Sequence, residues 1–363
     1  MNIAHLAILC CPETGEELEL VKVESNHTYG FEEITTGFLI SKHKHILYPI
    51  LRGIPRMFSG AAVIFKNEMA PYLSQVTQEY IMPEPDEEFT RFFLPTQRSF
   101  SKEWLSHNLK KDTWGWDQPQ RLKKFLEYLD IPPGDYQGKY FLDLGAGSGQ
   151  LTTTVAKAMK GTFIGLDLSF GIERGEALKH EIGAAENCSF VQGNLMHQPF
   201  KKESFDFVLS SGVMHHTPDT KKAFMASVGV VKRGGKLATW LYNHTDFRLP
   251  LLPFVKSKRF SIHEDTLRKY STKMNVGVLY GLTKAYSVVF HVIYSAGALV
   301  RGKKHPQNIT GRTLSIFDRL SPKYVWQHGE EEVKEWFREA GFSHLVLSDM
   351  DNTSGWCTVG VRN

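Results

Sequence analysis

The chain has 363 residues, enough for two or three domains, and its 42% hydrophobic and 23% charged content is ordinary for a soluble globular protein. Lys and Arg number 43 against 39 Asp and Glu, a formal net charge of +4, too small an excess to imply nucleic-acid binding by itself. Four cysteines, Cys10, Cys11, Cys188 and Cys357, are too few for a disulfide framework and fit a reducing, cytoplasmic setting.

Three regions follow in chain order. Residues 1–60 read as short strands with turns at Pro12-Glu13-Thr14-Gly15 and Arg52-Gly53-Ile54-Pro55. The mildly apolar start, Ile3 to Leu9, lacks a basic leader and a cleavage site and reads as a strand rather than a signal peptide. Residues 61–115 read as a helical connecting arm, broken at Pro83-Glu84-Pro85-Asp86. From residue 116 to 363, helix and strand alternate, which implies a parallel sheet covered on both faces. Strands are predicted at 140–144, 162–167, 189–191, 205–210, 236–242, 344–348 and 356–361. Helices are predicted at 119–130, 151–159, up to about 180, 223–231 and 330–340, the last ending at Gly341.

Residues 245–325 interrupt this alternation as a predicted helical insertion. Between residues 248 and 304 there are eleven Lys and Arg against only Glu264 and Asp265, so the positive field sits in one segment. The longest uncharged run, Ala285 to Val300, is shorter than the roughly 20 apolar residues that span a bilayer. Two readings remain: a helical cap with solvated lysines, or a platform that meets an anionic or lipid-linked acceptor peripherally at a membrane surface.

The most informative stretch is Leu142-Asp-Leu-Gly-Ala-Gly-Ser-Gly149. A strand that ends in a glycine-rich turn before a helix lets backbone approach a ligand, with helix N–H groups facing it. A dinucleotide fingerprint wants a third glycine where Gln150 stands. The compact form with Asp143 before Gly145, Gly147 and Gly149 instead resembles the first motif of class I S-adenosylmethionine-dependent methyltransferases. Asp167 closes the second strand, where a carboxylate can accept from both ribose hydroxyls. Gly193-Asn194-Leu195 stands where the family usually has an aspartate for the adenine amino group; the Asn194 amide oxygen and the Leu195 N–H can serve the base. The resemblance therefore implies a Rossmann-like α/β fold with a seven-stranded sheet and S-adenosylmethionine as cofactor. It implies cofactor contacts at Asp143, Gly145, Ala146, Gly147, Gly149, Asp167, Leu168, Asn194, Leu195 and Ser210.

Methyl transfer needs an aligned nucleophile, a dry site and, for some acceptors, a base. His215 and His216 lie just past the fourth strand, in the zone for that base, with loop ordering as the plainer role. Tyr242, Asn243 and His244 follow the fifth strand and are candidates for holding the acceptor, or for packing. The fourth-strand sequence Ser210-Ser-Gly-Val-Met-His215 lacks the Asn/Asp-Pro-Pro-aromatic signature of enzymes that methylate adenine or glutamine amino groups.

Leu9-Cys-Cys-Pro-Glu-Thr-Gly15, Gly37-Phe-Leu-Ile40 and Tyr48-Pro-Ile-Leu-Arg-Gly-Ile-Pro55 resemble the small zinc-ribbon-like domain of tRNA methyltransferase activators. Thr14 replaces one expected cysteine, so a metal-free ribbon is the expectation and Cys10, Cys11, His43 and His45 the alternative ligand set. The acceptor expected from all this is a small molecule, a glycan or a lipid-linked intermediate. An RNA-directed enzyme and a catalytically silent scaffold are the alternatives, the former weakened by the absence of aromatics interleaved with the basic residues.

Overall fold

The computed structural model describes residues 1–28, 30–106, 117–251, 258–300, 309–348 and 354–363. Its centre is a sheet whose strands alternate inward side chains on the two faces. In β5 (Tyr140–Leu144), Leu142 and Leu144 point to one apolar layer while Phe141 and Asp143 point to the other. Phe141 stacks on Phe163 of β6 (Thr162–Asp167) at 4.5 Å and on Phe207 of β8 (Phe205–Ser211) at 4.6 Å, so one aromatic ladder ties three strands.

The sheet continues through β7 (Cys188–Gly193) on one side of β6 and through β9 (Val231–Tyr242) beyond β8; these five strands run parallel. Antiparallel β13 (Gly355–Arg362) and β12 (Phe342–Ser348) close that end. At the other end β4 (Ile54–Met57) pairs with β7 in parallel through Arg56 and Met57, and β3 (Leu47–Leu51), β2 (Phe31–Ser41) and β1 (Leu18–Thr28) follow antiparallel. The sheet thus has eleven strands where seven are expected, because the amino-terminal strands extend it rather than forming a sheet of their own. The buried Arg56 secures that junction: its guanidinium donates to Gln192 Oε1 at 2.8 Å and to Glu173 Oε1 at 2.8 Å. The opening segment Ile3–Ile8 is a tight helical turn and not a strand; Asn2 caps it by accepting from Ala4 N at 3.0 Å.

Short helices α1 (Ala61–Ile64) and α2 (Lys66–Met69) precede the long α3 (Leu94–Ser106), which crosses the carboxyl end of the sheet. Helix α4 (Gln118–Leu129) starts at a capping box between Asp117 and Gln120 and stops at Asp130, whose φ of 49° is left-handed. With α5 (Gln150–Ala158) and α6 (Ile172–Glu181) it covers one face; α7 (Thr220–Val228) packs on the other.

Between β9 and the last crossover helix lie the β10–β11 hairpin (Arg248–Pro250 with Ser261–His263), α8 (Glu264–Ser271), α9 (Val276–Val300) and α10 (Ile309–Leu320). Helix α11 (Glu330–Glu339) then returns to the sheet through Val333, Trp336 and Phe337. The run from Ala285 to Val300 looks too short to cross a bilayer, yet α9 extends unbroken through Lys284 back to Val276. Over Val276–Ser295 it is long and apolar enough for a crossing by length and composition. One of its faces nevertheless packs on α10 and α3, as in a helix lying on a protein body.

Candidate active site

From β5 the chain steps outward to β6 and β7 on one side and to β8 and β9 on the other, so a crevice opens at the carboxyl ends where the order reverses. A cavity of about 760 Å³ fills it, floored by the loops after β5 to β9 and roofed by α3 and α10.

At one end lies the glycine loop. Gly145 N and Ala146 N both donate to Leu166 O, at 2.7 and 3.0 Å, which pins the loop to the end of β6. Gly147 donates to Asp167 Oδ2 at 2.7 Å and has a φ of 56°. A Cβ there would also strike the Trp104 ring of α3 at 2.7 Å, so this position needs glycine for conformation and for room. Gly149, with a φ of 70°, starts α5 and lies against Gly175 Cα, so the loop and α6 approach at backbone distance.

Of the two carboxylates at this end, Asp143 is buried and Asp167 half-buried. Asp167 accepts from Gly147 N and, through Oδ1, from Ser169 N at 2.7 Å; burial raises its carboxyl, and these two N–H groups oppose the shift. Asp143 accepts from Thr152 Oγ1 at 2.7 Å and is pushed up to about 6, chiefly by burial, with Asp167 adding to it. Two acids this close repel one another, so the pocket favours a ligand that brings positive charge and hydroxyl donors. Arg121 and Lys124 of α4 line the same cavity and suit a ligand carboxylate. This donor set fits S-adenosylmethionine, with its ammonium, sulfonium, carboxylate and ribose.

Of the other residues expected at the cofactor, Leu168, Asn194 and Leu195 line the cavity with Asp143, Gly145, Ala146 and Asp167. The Asn194 oxygen is already engaged by Met196 N at 3.0 Å. Ser210 is a correction: it is buried, its hydroxyl donates to Leu144 O at 3.2 Å, and its neighbour Ser211 faces the cavity instead. Period-two alternation in β8 puts consecutive residues on opposite sides.

The far end gathers residues distant in sequence. His216 lines the cavity and its Nδ1 lies 2.9 Å from Tyr324 O, which places the proton on Nδ1 and leaves Nε2 as an acceptor. Burial lowers its pKa, and the carboxylate of Asp318, 3.7 Å from Nε2, works in the opposite direction. The Tyr242 hydroxyl donates to Asp318 Oδ2; burial and that carboxylate hold the phenol well above its usual range. Arg319 lies over the Tyr242 ring at 4.6 Å and the Phe247 ring at 4.4 Å, and pairs with Glu264 at 3.1 Å. Phe93, Phe100, Trp240 and Phe247 make the wall apolar.

The two histidines part company. His215 is fully buried outside the cavity, stacked on Tyr242 at 4.1 Å, and burial takes its pKa well below the usual value. It orders Tyr242 and does not face an acceptor. Asn243 and His244 also lie off the cavity; Asn243 N donates to Ser354 O at 3.1 Å and His244 is exposed.

Sequence reasoning missed Asp318, Arg319, Ser315, Phe100, Trp104 and the buried Glu103, whose carboxyl is raised by burial and by Asp318 and Asp167. The available signal was the polar trio Ser315, Asp318 and Arg319 at three- and four-residue spacing, on one side of an amphipathic helix. In the amino-terminal region Cys11 Sγ lies 3.3 Å from the Tyr48 hydroxyl, and Cys10, Cys11, His43 and His45 do not converge on a common point among the described residues. The ligand-type residues that do converge are Glu33, Glu176 and His180, and there the Lys179 ammonium lies 2.6 Å from Glu33 and 2.7 Å from Glu176.

The "Methyltransferase domain" family matches residues 142–239, the stretch from the glycine loop into β9. Cycloartenol-C-24-methyltransferase of Arabidopsis thaliana is 26% identical over 148 residues, 40% of this chain and 41% of that one. Demethylmenaquinone methyltransferase of Lactococcus lactis is 34% identical over 125 residues, 34% of this chain and 48% of that one. The chain therefore spans less than half the length of these relatives. Among solved structures it is similar, at a TM-score of 0.43 and 16% identity, to Haemonchus contortus phosphoethanolamine N-methyltransferase 2 in complex with S-adenosyl-L-methionine, over 76% of this chain and 59% of that one. The family match and these relatives support an S-adenosylmethionine-dependent methyltransferase, with S-adenosylmethionine as its cofactor.

Proposed function

We propose that this chain transfers a methyl group from S-adenosylmethionine to a small, largely apolar acceptor of the lipid or lipid-linked class. One observation carries the reading: a single cavity joins the glycine loop and Asp167 to the His216–Tyr242–Asp318 cluster through an aromatic wall. The relatives' names add weight, since they give sterol and quinone precursors as acceptors.

When bound, S-adenosylmethionine supplies an electrophilic methyl carbon on a sulfonium that is already a good leaving group. The chain's own residues do the rest. Asp167 holds the adenosyl part, beside a glycine loop that gives it room, while Asp143, Arg121 and Lys124 answer the charges of its amino-acid part. Trp104 and Phe100 of α3 roof the cleft and keep water out. His216, neutral and lining the cavity with Nε2 3.7 Å from Asp318 Oδ1, takes the proton from an acceptor hydroxyl or carbon acid. Asp318 stabilises the resulting imidazolium, and Tyr242 holds Asp318 in place.

Calorimetric titration with S-adenosylmethionine, S-adenosylhomocysteine and NAD, beside Asp167→Ala, tests the cofactor half. Saturable binding of both adenosyl ligands, weakened about 10- to 100-fold in the variant and absent for NAD, is expected; no binding by the wild type returns the chain to the scaffold reading. Labelled methyl groups offered with a cell extract test the acceptor half. Label in the organic-solvent fraction is expected, and label in RNA replaces it with the RNA-directed reading.

A further inference from the structure

Helix α9 turns an apolar face to solvent. Val278, Leu282, Val289 and Val292 are 55%, 55%, 54% and 61% exposed and recur at the three-, four- and seven-residue intervals that stack side chains on one side of a helix. The opposite side, Leu279, Thr283, Ser287 and Phe290, is buried where α9 meets α10 and α3. Only 22% of the apolar stretch is buried, too little for a core helix. The buried side, in turn, argues against a crossing, because it would leave the protein body behind.

Charge selects the occupant. The exposed Lys269 and Lys273 lead into α9, and exposed Lys284 stands at the margin of the apolar stripe, in the segment that holds the chain's positive excess. A second copy would bring two such basic faces together. An anionic bilayer offers an apolar interior to the stripe and negative headgroups to the lysines. We propose that α9 lies in the plane of an anionic membrane surface as an anchor. Helix α10, packed beneath it, carries Ser315, Asp318 and Arg319, so docking sets the acceptor end of the cleft beside the bilayer. The surface stands independently of the reaction assigned to the cleft, since its test reads binding and not activity.

The full chain is pelleted with vesicles of phosphatidylcholine alone or mixed with phosphatidylglycerol, as wild type, as Leu282→Asp with Val289→Asp, and as Lys269→Glu, Lys273→Glu and Lys284→Glu together. Binding to the anionic vesicles is expected, with about tenfold weaker partitioning in each variant and at high salt. Unchanged S-adenosylmethionine affinity in at least one variant shows that it folds. Failure of the wild type to pellet, or equal pelleting of wild type and both variants, overturns the proposal. A wild-type dimer in light scattering that ignores vesicles and dissociates in the apolar-face variant also overturns it, in favour of a second copy.

Discussion

The two ends of the cleft are built in different ways. The cofactor end is assembled from the ends of two neighbouring strands: Gly145 N donates to Leu166 O and Gly147 N to Asp167 Oδ2, both at 2.7 Å. The acceptor end joins His216, Tyr242 and Asp318 with Phe100, residues from four separate segments that only tertiary packing unites. The first end rests on backbone donors, whereas the second rests on side chains brought together by packing. Variants should therefore separate binding of the cofactor from turnover.

The sharpest break is expected at His216. Changing it to Gln removes the acceptor Nε2, and turnover should fall about 100- to 10,000-fold while S-adenosylmethionine affinity stays within about twofold. His215→Phe keeps the stack on Tyr242 and should cost far less. Steady-state kinetics with calorimetry on both variants checks this. Equal losses at the two histidines would assign the pair an ordering role and erase the contrast between the ends.

Asp167→Ala should act the other way round. A carboxylate hydrogen bond is worth enough to weaken cofactor affinity about 10- to 100-fold, with turnover at saturating cofactor nearly preserved. The loop itself loses the Gly147 anchor, so loss of fold must be distinguished from loss of contact. Asp167→Asn, which keeps an acceptor for that N–H, should fall between the two in calorimetry.

The same contrast governs what the sequence disclosed. The glycine loop, Asp167, and the parallel strands were legible because each is a short pattern whose chemistry is local. Asp318 was not, because its partner Tyr242 lies on another element and nothing in the spacing joins them. Ser210 was misplaced by one residue, which in a strand is a change of face. The amino-terminal strands were read correctly as strands, but their edge pairing, Arg56 with Gln192 and Met57 with Gly193, depends on residues far along the chain. Ile3 to Leu9 reads as a strand because a short apolar run has no distinguishing period, although Ile3–Ile8 is a helical turn.

A pH titration of affinity sharpens the cofactor end further. The free Asp143 carboxyl sits at about 6, raised chiefly by burial. A positively charged ligand favours its ionised form, so binding must drive off the proton wherever the free protein holds one. Above pH 6 the acid is already ionised and affinity should be flat. Below it, affinity should fall by up to about tenfold per pH unit, with proton release visible as a buffer-dependent heat in calorimetry. Asp143→Asn should be weaker throughout and flat across the same window. An affinity that rises on acidification would remove Asp143 from the charged end of the ligand.

The smallest expected effect is at Asn194, where the chain departs from the aspartate its relatives' pattern calls for. Its oxygen already accepts from Met196 N at 3.0 Å, so only the remaining lone pair of that atom is open to a base amino group. Asn194→Asp adds a second oxygen, which can keep Met196 while the other takes the adenine amino group as a charge-assisted acceptor. A gain of about threefold in affinity for both S-adenosylmethionine and S-adenosylhomocysteine is expected, since the two share the adenine ring. A gain confined to S-adenosylmethionine would instead place the new charge near the sulfonium. The base would then occupy another part of the cavity, and Asn194 would belong with the acceptor end of the comparison.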